Sequence, residues 1–318
     1  WGAIAWVPVR GSAMRVLVTG GAGFVGSVTV AALRESGHDV VVLDDLSTGR
    51  ADRVGDATLV VGDVRDKELV RQSMTDVQAI VHLAGRSSVW ESFLDPLLCH
   101  SVNTWGTEVL LDAALRLGVQ RVVLASSAAV YGVGGRLLSH EDDAPDPRSP
   151  YAASKVGMEA TARVYGLQGL RVSVLRYFNV YGQPRVDDPS GGVVARFLSA
   201  FERGEAMPLE GTGLQGRDFV HVRDVARANV LALDGPMDTY NVGTGRLTTI
   251  SDLGLLIGAV SGRPVRFDTL PSRAGDVDRS VADISKIERR LGWSPRLSLE
   301  EGLRAGQGRA QSLVAGVG

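Results

Sequence analysis

The stretch RVLVTGGAGFVG, residues 15–26, decides the fold. Its first half, Arg15–Thr19, is a short, β-branched apolar run, which reads as a strand buried on both faces. Its second half sets Gly20, Gly23 and Gly26 in the spacing G-x-x-G-x-x-G. A helix-like segment, Val25–Ser36, follows and is stopped by Gly37. Glycines at a strand-to-helix turn let the backbone bend sharply and approach a pyrophosphate. The helix N-terminus beyond them offers unpaired N–H groups and a partial positive charge. A glycine-rich turn is also the ordinary way to leave a strand, so its surroundings must decide. The next strand, Asp39–Leu43, runs into Asp44-Asp45, close to the offset of about 20 residues at which an acidic residue accepts from ribose hydroxyls. There Asp44 would bind both adenosine ribose hydroxyls and repel a 2′-phosphate, favouring NAD over NADP. Its other reading is a strand-end turn residue.

Working outward, Thr58–Val61, Ala79–Leu83, Arg121–Ala125 and Arg171–Leu175 repeat the apolar strand pattern. Helix-like segments, among them Lys67–Met74, Val102–Leu117 and Tyr151–Tyr165, lie between them. Buried strands spaced by helices predict an α/β fold with a Rossmann-type doubly wound parallel sheet. After Tyr181 the regularity breaks. Gly182–Gly192 reads as a loop, Val193–Arg203 as a helix, Arg217–Leu233 as a short strand and then a helix, and Ser251–Val260 and Ala282–Leu291 as two further helices. The expected division is a cofactor domain over 14–181, rejoined by about 217–245, and a smaller C-terminal α/β substrate domain over 182–216 and 246–318. Residues 1–13, ahead of Met14, read as an extension or vector-derived residues.

Of 318 residues, Lys and Arg number 34 and Asp and Glu 36, so 34 − 36 gives a formal charge of −2. That balance leaves no basic excess for a phosphate backbone, which argues against nucleic-acid binding. No apolar run reaches the roughly 18 residues of a membrane span. The lone Cys99 allows no intrachain disulfide and fits a reducing, cytoplasmic setting. No metal site is expected.

Further candidates lie at the strand ends. Asp63, followed by Val64 in GDV, either bonds an adenine amine or caps the helix at Lys67. Leu83-Ala84-Gly85 offers small residues where a backbone would pass a diphosphate. Asn103 either bonds a strand-end carbonyl beside the cofactor or is an ordinary polar helix position. Tyr151 and Lys155 form Y-x-x-x-K, an i, i+4 pair on one helical face. An ammonium beside a phenol favours phenolate and would lower its pKa from about 10. Ser127 ends the fifth strand, where a hydroxyl would sit over the crevice at the carboxyl edge of the sheet.

Together, TGGAGFVG, LDDL, GDV, HLAG, SSAAVYG, SPYAASK, LRYFNVYG and RDFVHVRDVA resemble the extended short-chain dehydrogenase/reductase superfamily. Within it they resemble the nucleotide-sugar epimerase/dehydratase branch, over about residues 14–300. The resemblance implies NAD as cofactor, bound by the glycine stretch through Gly20, Gly23, Phe24, Val25 and Gly26. It assigns further cofactor contacts to Asp44, Asp63, Val64, Leu83, Ala84, Gly85, Asn103, Tyr151, Lys155 and Tyr177. It implies Ser127, Tyr151 and Lys155 as the catalytic set: Tyr151 takes a sugar hydroxyl proton, Ser127 bonds the same oxygen, and Lys155 holds the nicotinamide ribose. Tyr177 and Phe178 would line the nicotinamide. Asn179, Arg217 and Arg273 resemble diphosphate ligands, and Gly192, Val193, Pro208, Leu209 and Asp276 resemble nucleotide contacts. Ser280 resembles a gate residue that would border the sugar, and its small side chain would leave volume for an N-acetyl group. Arg86 and Arg185 are either sugar-end residues or ordinary surface arginines. Ser87 departs from the pattern where some members carry a Lys.

Ala128 and Ala129 stand where the 4,6-dehydratases carry an acidic pair and the decarboxylases a Glu. The resemblance therefore implies 4-epimerisation of a UDP-sugar in a homodimer built through Val102–Leu117 and Tyr151–Tyr165. The alternatives are a 4-ketoreductase or atypical dehydratase on the same scaffold, or a catalytically silent NAD-binding regulator.

Overall fold

Alternation of apolar runs and helices folds the first half of the chain into six strands and six helices. The strands are β1 (Arg15–Thr19), β2 (Asp39–Asp44), β3 (Thr58–Val61), β4 (Ala79–His82), β5 (Arg121–Ser127) and β6 (Val172–Tyr177). The helices are α1 (Phe24–Glu35), α2 (Lys67–Ser73), α3 (Val89–Leu94), α4 (Pro96–His100), α5 (Gly106–Leu117) and α6 (Pro150–Leu167). The computed structural model describes residues 13–133, 137–182, 192–272 and 277–306. The later part holds β7 (Asn179–Tyr181), α7 (Gly192–Glu202), β8 (Met207–Glu210), β9 (Gly216–Arg217), β10 (Phe219–His221), α8 (Val222–Asp234) and β11 (Thr239–Val242). It continues with β12 (Thr248–Thr249), α9 (Ile250–Ser261), β13 (Phe267–Leu270), β14 (Arg279–Ser280) and α10 (Ser285–Leu291).

Seven strands form one parallel sheet in the order β3-β2-β1-β4-β5-β6-β11. The chain leaves β1 in one direction and returns to β4 on its other side, which opens a crevice at the carboxyl ends of the strands. Side chains alternate across the pleat. Val16, Val18, Val123 and Ala125 pack on one face with residues of α1 and α8 and with Trp293; Leu17, Val122 and Leu124 pack on the other with α2, α5 and α6. A third cluster, built on Phe197, Phe201, Met207, Phe219, Leu253 and Ile257, joins α7, β8, β10 and α9.

The structure moves several boundaries. β5 and β6 run to Ser127 and Tyr177, two residues beyond the expected strands, because both continue the ladder in register. The helix read as Val102–Leu117 begins at Pro96 and passes through a π-helical stretch, Ser101–Trp105. The one read as Ala282–Leu291 starts at Ser285. Ala282 is instead bridged to Ser139, and its N–H donates to Asp218. The expected loop Gly182–Gly192 falls mostly outside the described residues, and Gly192 opens α7. β11 was not legible as a strand, since its four residues TYNV include Asn241. That amide is fully buried and bonded to the Ser139 and Asp283 carbonyls and the Tyr131 hydroxyl. Among the described residues no helix is long and apolar enough to cross a membrane.

The glycine turn leaves no room for a side chain. Gly20 has φ +70°, and a Cβ on Gly26 would lie 2.0 Å from the Gly20 carbonyl oxygen. The obstacle is backbone, which cannot step aside. Gly26→Ala is therefore expected to destabilise the protein by roughly 1–3 kcal/mol, read from denaturant unfolding. An unchanged midpoint would show that the turn tolerates a Cβ.

Candidate active site

Anion-binding capacity at the crevice follows from how α1 starts. Its cap is Gly23, with no capping side chain and no acidic residue in the first turn. By contrast, α2, α3, α4, α6 and α9 are capped by Asp66, Ser88, Asp95, Ser149 and Thr249. The first N–H groups of α1 are thus left for an external anion, as a dinucleotide pyrophosphate requires. Asp44 closes the turn beside them: one carboxylate oxygen accepts from Ala22 N–H and the other from Leu46 N–H, both at 2.9 Å. Burial pushes its pKa up. The residues present fit a dinucleotide.

Asp63 is bonded to the backbone and guanidinium of Arg65, which holds its carboxyl below the usual range. The cap of α2 is Asp66, so that reading of Asp63 is corrected. Val64 is buried in the core against Gly106, leaving its backbone as the part able to meet a ligand. Ala84 interlocks with the glycine turn, since a Cβ on Gly20 would lie 2.6 Å from the Ala84 nitrogen. Asn103 does bond the strand-end segment. Its Oδ1 accepts from Arg86 N–H (2.7 Å), and its Nδ2 donates to the Arg86 carbonyl (3.0 Å) and to Ser154 Oγ (2.8 Å). It sits in the π-helical stretch, a distortion often found at functional sites.

Ser127, Tyr151 and Lys155 converge at the carboxyl end of β5. Ser149 caps α6, with Pro150 in its first turn, and this sets Tyr151 at the helix entrance. Tyr151 N–H donates to Ser92 Oγ at 3.1 Å, and its buried hydroxyl is hydrogen-bonded to Ser127. One turn on, Lys155 Nζ donates to the Ala125 carbonyl at 2.7 Å and lies 5.9 Å from the Tyr151 ring centre. Burial pulls the Lys155 pKa down to about 8. The same burial pushes the Tyr151 phenol up and outweighs the Ser127 bond that would lower it. The expectation that the Y-x-x-x-K pairing lowers the phenol is corrected: desolvation dominates. His82, held between Thr19 Oγ1 (2.6 Å) and Thr107 Oγ1 (3.0 Å), is kept neutral, its pKa lowered to about 3 by burial and by the Lys155 charge. Tyr177 is the register partner of Ser127 on β6 and donates to Asn229 Oδ1 at 2.6 Å.

Glu159 escaped the sequence reading, although it stands four residues after Lys155 on the same helical face. It accepts from Ser126 Oγ (2.5 Å) and forms a two-point ion pair with Arg176, Nε at 3.0 Å and Nη2 at 2.7 Å. Arg176 Nη1 also donates to the Tyr131 hydroxyl and the Glu141 carbonyl.

The substrate-side candidates assemble partly. Arg217 and Ser280 are register partners on β9 and β14, and Asn179 N–H donates to the carbonyl of Asp218, the residue after Arg217. The fully buried Asp218 carboxylate accepts from Thr244 N–H and Oγ1, Gly245 N–H and Ala282 N–H. It thereby ties the strand bearing Arg217 to the one bearing Ser280. Pro208 and Leu209 lie on β8, where the Leu209 side chain packs into the third core cluster and leaves backbone to face a ligand. Gly192 is exposed at the start of α7, with Val193 half-buried behind it. Arg185, Arg273 and Asp276 lie outside the described residues. Arg86 is paired with Glu91 at 3.1 Å. Ala128 and Ala129 form the 3₁₀ turn after Ser127 and bring no acid to it. Among the described residues no group of three potential metal ligands occurs.

This chain is similar to known proteins over nearly its whole length. The UDP-glucose 4-epimerase of Mycolicibacterium smegmatis is 40% identical over 304 residues, 91% of this chain and 96% of its own. The crystal structure of UDP-glucose 4-epimerase with UDP-glucose from Thermotoga maritima superposes with a TM-score of 0.91 at 35% identity, covering 95% of this chain and all of that one. That of the Thermus thermophilus UDP-glucose 4-epimerase complex with NAD superposes with a TM-score of 0.87 at 39% identity, covering 92% and 97%. The NAD dependent epimerase/dehydratase family matches residues 16–243, the segment that holds the glycine turn, the Ser127–Tyr151–Lys155 set and β11, and the chain belongs to that family.

Proposed function

We propose that the protein is an NAD-dependent 4-epimerase of a UDP-hexose or UDP-hexosamine, with Tyr151 as the base. The observation that carries the reading is the convergence of Ser127, Tyr151 and Lys155 beside a turn, Ala128-Ala129, that has no acid with which to eliminate water. The named relatives support it. NAD is the cofactor of the family, and when bound it supplies the hydride acceptor and returns the same hydride. Gly20, Gly23, Phe24, Val25 and Gly26 would hold its pyrophosphate, Asp44 its adenosine ribose and Lys155 its nicotinamide ribose. Tyr151 accepts the 4-hydroxyl proton as the sugar becomes a 4-ketone, then returns it after the ketone turns over. Ser127 bonds the same oxygen. Because burial holds the phenol protonated, positive charge at the site, including Lys155, must favour the phenolate. Arg217 and Arg273 would clamp the diphosphate, and Ser280 would border the sugar.

We further propose the division into a cofactor domain over 14–181, rejoined by about 217–245, and a substrate domain over 182–216 and 246–318. The third core cluster supports it, drawing most of its members from 193–209 and 250–303, although Tyr181 and Phe219 join it and Ile287 and Trp293 pack on the cofactor sheet; limited proteolysis should cut first between the two parts. A homodimer is proposed through α5 and α6 and the residues leading into α5. Leu97 is 81% exposed, Leu167 84% and Trp105 42%, large apolar side chains these elements leave to water. Leu97→Glu should shift the protein toward monomer in equilibrium sedimentation. A wild type that sediments as a monomer at micromolar concentration removes this proposal.

Incubation with UDP-glucose, UDP-N-acetylglucosamine and UDP-glucuronate, without added cofactor and followed by NMR, should show interconversion at C4 of at least one sugar. Tyr151→Phe should lose roughly 10²–10⁴-fold in turnover and Ser127→Ala less. A stable keto product, or net oxidation, would replace the epimerase reading.

The lysine adds a pH signature. Its pKa is lowered by burial, so its charge is present below about pH 8 and lost as pH rises through that value. The rate of the wild type should fall on that alkaline limb. Lys155→Met should be slow throughout and lack the limb; a limb that survives in Lys155→Met belongs to another group.

A further inference from the structure

Glu159 binds both members of one register pair. Ser126 on β5 faces Arg176 on β6, and the Glu159 carboxylate accepts from both. The next pair along the ladder is Ser127↔Tyr177. Successive turns of α6 therefore fasten to the end of the sheet at three points: Tyr151 to the Ser127 hydroxyl, Lys155 to the Ala125 carbonyl and Glu159 to Ser126. Ser126 stands on the face of β5 where Val122 and Leu124 pack against Met158 and Ala162 of α6. An apolar residue would continue that packing; a hydroxyl occurs there instead, and it is spent on Glu159. The ion pair is nearly dry, with side-chain exposures of 7% for Arg176 and 13% for Glu159.

We propose that Glu159 is a positioning residue for the reaction, clamping the Ser126–Arg176 pair to α6 and so setting the distance between Ser127 and Tyr151. The proposal rests on the epimerase reading above. The clamp is directional: a carboxylate receiving one hydroxyl and two guanidinium N–H groups from adjacent strands has one position, whereas apolar packing would let α6 slide by fractions of an ångström. Misplacement of about 1 Å at reacting groups can cost on the order of 100-fold. Glu159 also carries a negative charge toward Lys155, whose Nζ bonds a carbonyl and no carboxylate among the described residues. Around this pair lie Arg176 from β6, His82 from β4, Cys99 from α4 and Tyr151 from α6, with Tyr131 and Glu141 behind Arg176.

The test compares wild type, Glu159→Gln, Ser126→Ala and Tyr151→Phe as purified holoenzymes acting on whichever UDP-sugar the wild type interconverts. Glu159→Gln should lower kcat roughly 10- to 100-fold while KM, NAD content and UDP affinity stay within about two-fold. Its alkaline limb should move to lower pH, because Lys155 loses a facing carboxylate. Ser126→Ala removes a single hydrogen bond and should lower kcat roughly 2- to 10-fold with the limb unmoved. If Glu159→Gln does not fold, as breaking a buried pair can cause, Ser126→Ala decides alone. A wild-type kcat in either folded variant, or a loss confined to melting temperature and NAD retention, overturns the proposal. A wild type that interconverts none of the three sugars overturns the reading of function, and this proposal with it.

Discussion

The register of β5 on β6 is the constraint on which the site depends. Because side chains alternate across a strand, a slip of one residue would exchange the faces of Ser126 and Ser127 and of Arg176 and Tyr177. As paired, Ser126 and Arg176 reach α6, while Ser127 is left to Tyr151 and Tyr177 turns to Asn229 of α8. Two forces hold that register. Val122 and Leu124 bury on one face and Val123 and Ala125 on the other, and the polar pair at the end is satisfied in one arrangement alone. An apolar strand end would have been cheaper to bury but less particular about position.

The same use of buried polar groups recurs wherever the chain must join distant segments near the crevice. Asp218 collects four donors from two segments, and Asn103 fastens the segment after β4 to α6 through Arg86 and Ser154. Asn241 joins β11 to the residues on either side of it in space. Left unpaired, each such group would cost about 1–3 kcal/mol, so each defines one geometry. These are also the positions where α-helical and strand patterns are weakest.

Burial sets the electrostatics around Ser127, Tyr151 and Lys155. Removal from water raises the Tyr151 phenol and lowers Lys155 and His82, so below about pH 8 the Lys155 ammonium is the charge these three groups hold. A neutral His82 matters because a second cation beside Lys155 would drive the lysine toward its neutral form. The pair is thus arranged to respond to charge brought by a ligand, which is the behaviour expected of an acid–base pair serving a bound cofactor and sugar.

By itself the sequence determined the sheet, the glycine turn and the Tyr151–Lys155 pair, and its resemblance to a family added Ser127. The first three are written in local spacing: β-branched runs, glycines three apart and a Tyr and Lys one helical turn apart. It also pointed to Asn103, but left its role open between a strand-end bond and a plain helix position, and it left Asp63 open between ligand and cap. Those choices needed Arg86, Ser154 and Arg65 to be placed. β11 and Glu159 were invisible for a related reason. A four-residue strand containing an Asn has no period to detect, and a Glu on a helix is ordinarily a solvated one. Only the tertiary structure brings Arg176 and Ser126 to that carboxylate, and only it decides that desolvation, rather than the neighbouring lysine, governs the phenol. Spacing along the chain records which residues share a face. The neighbours across the sheet, and the water they exclude, are recorded only when the chain is folded.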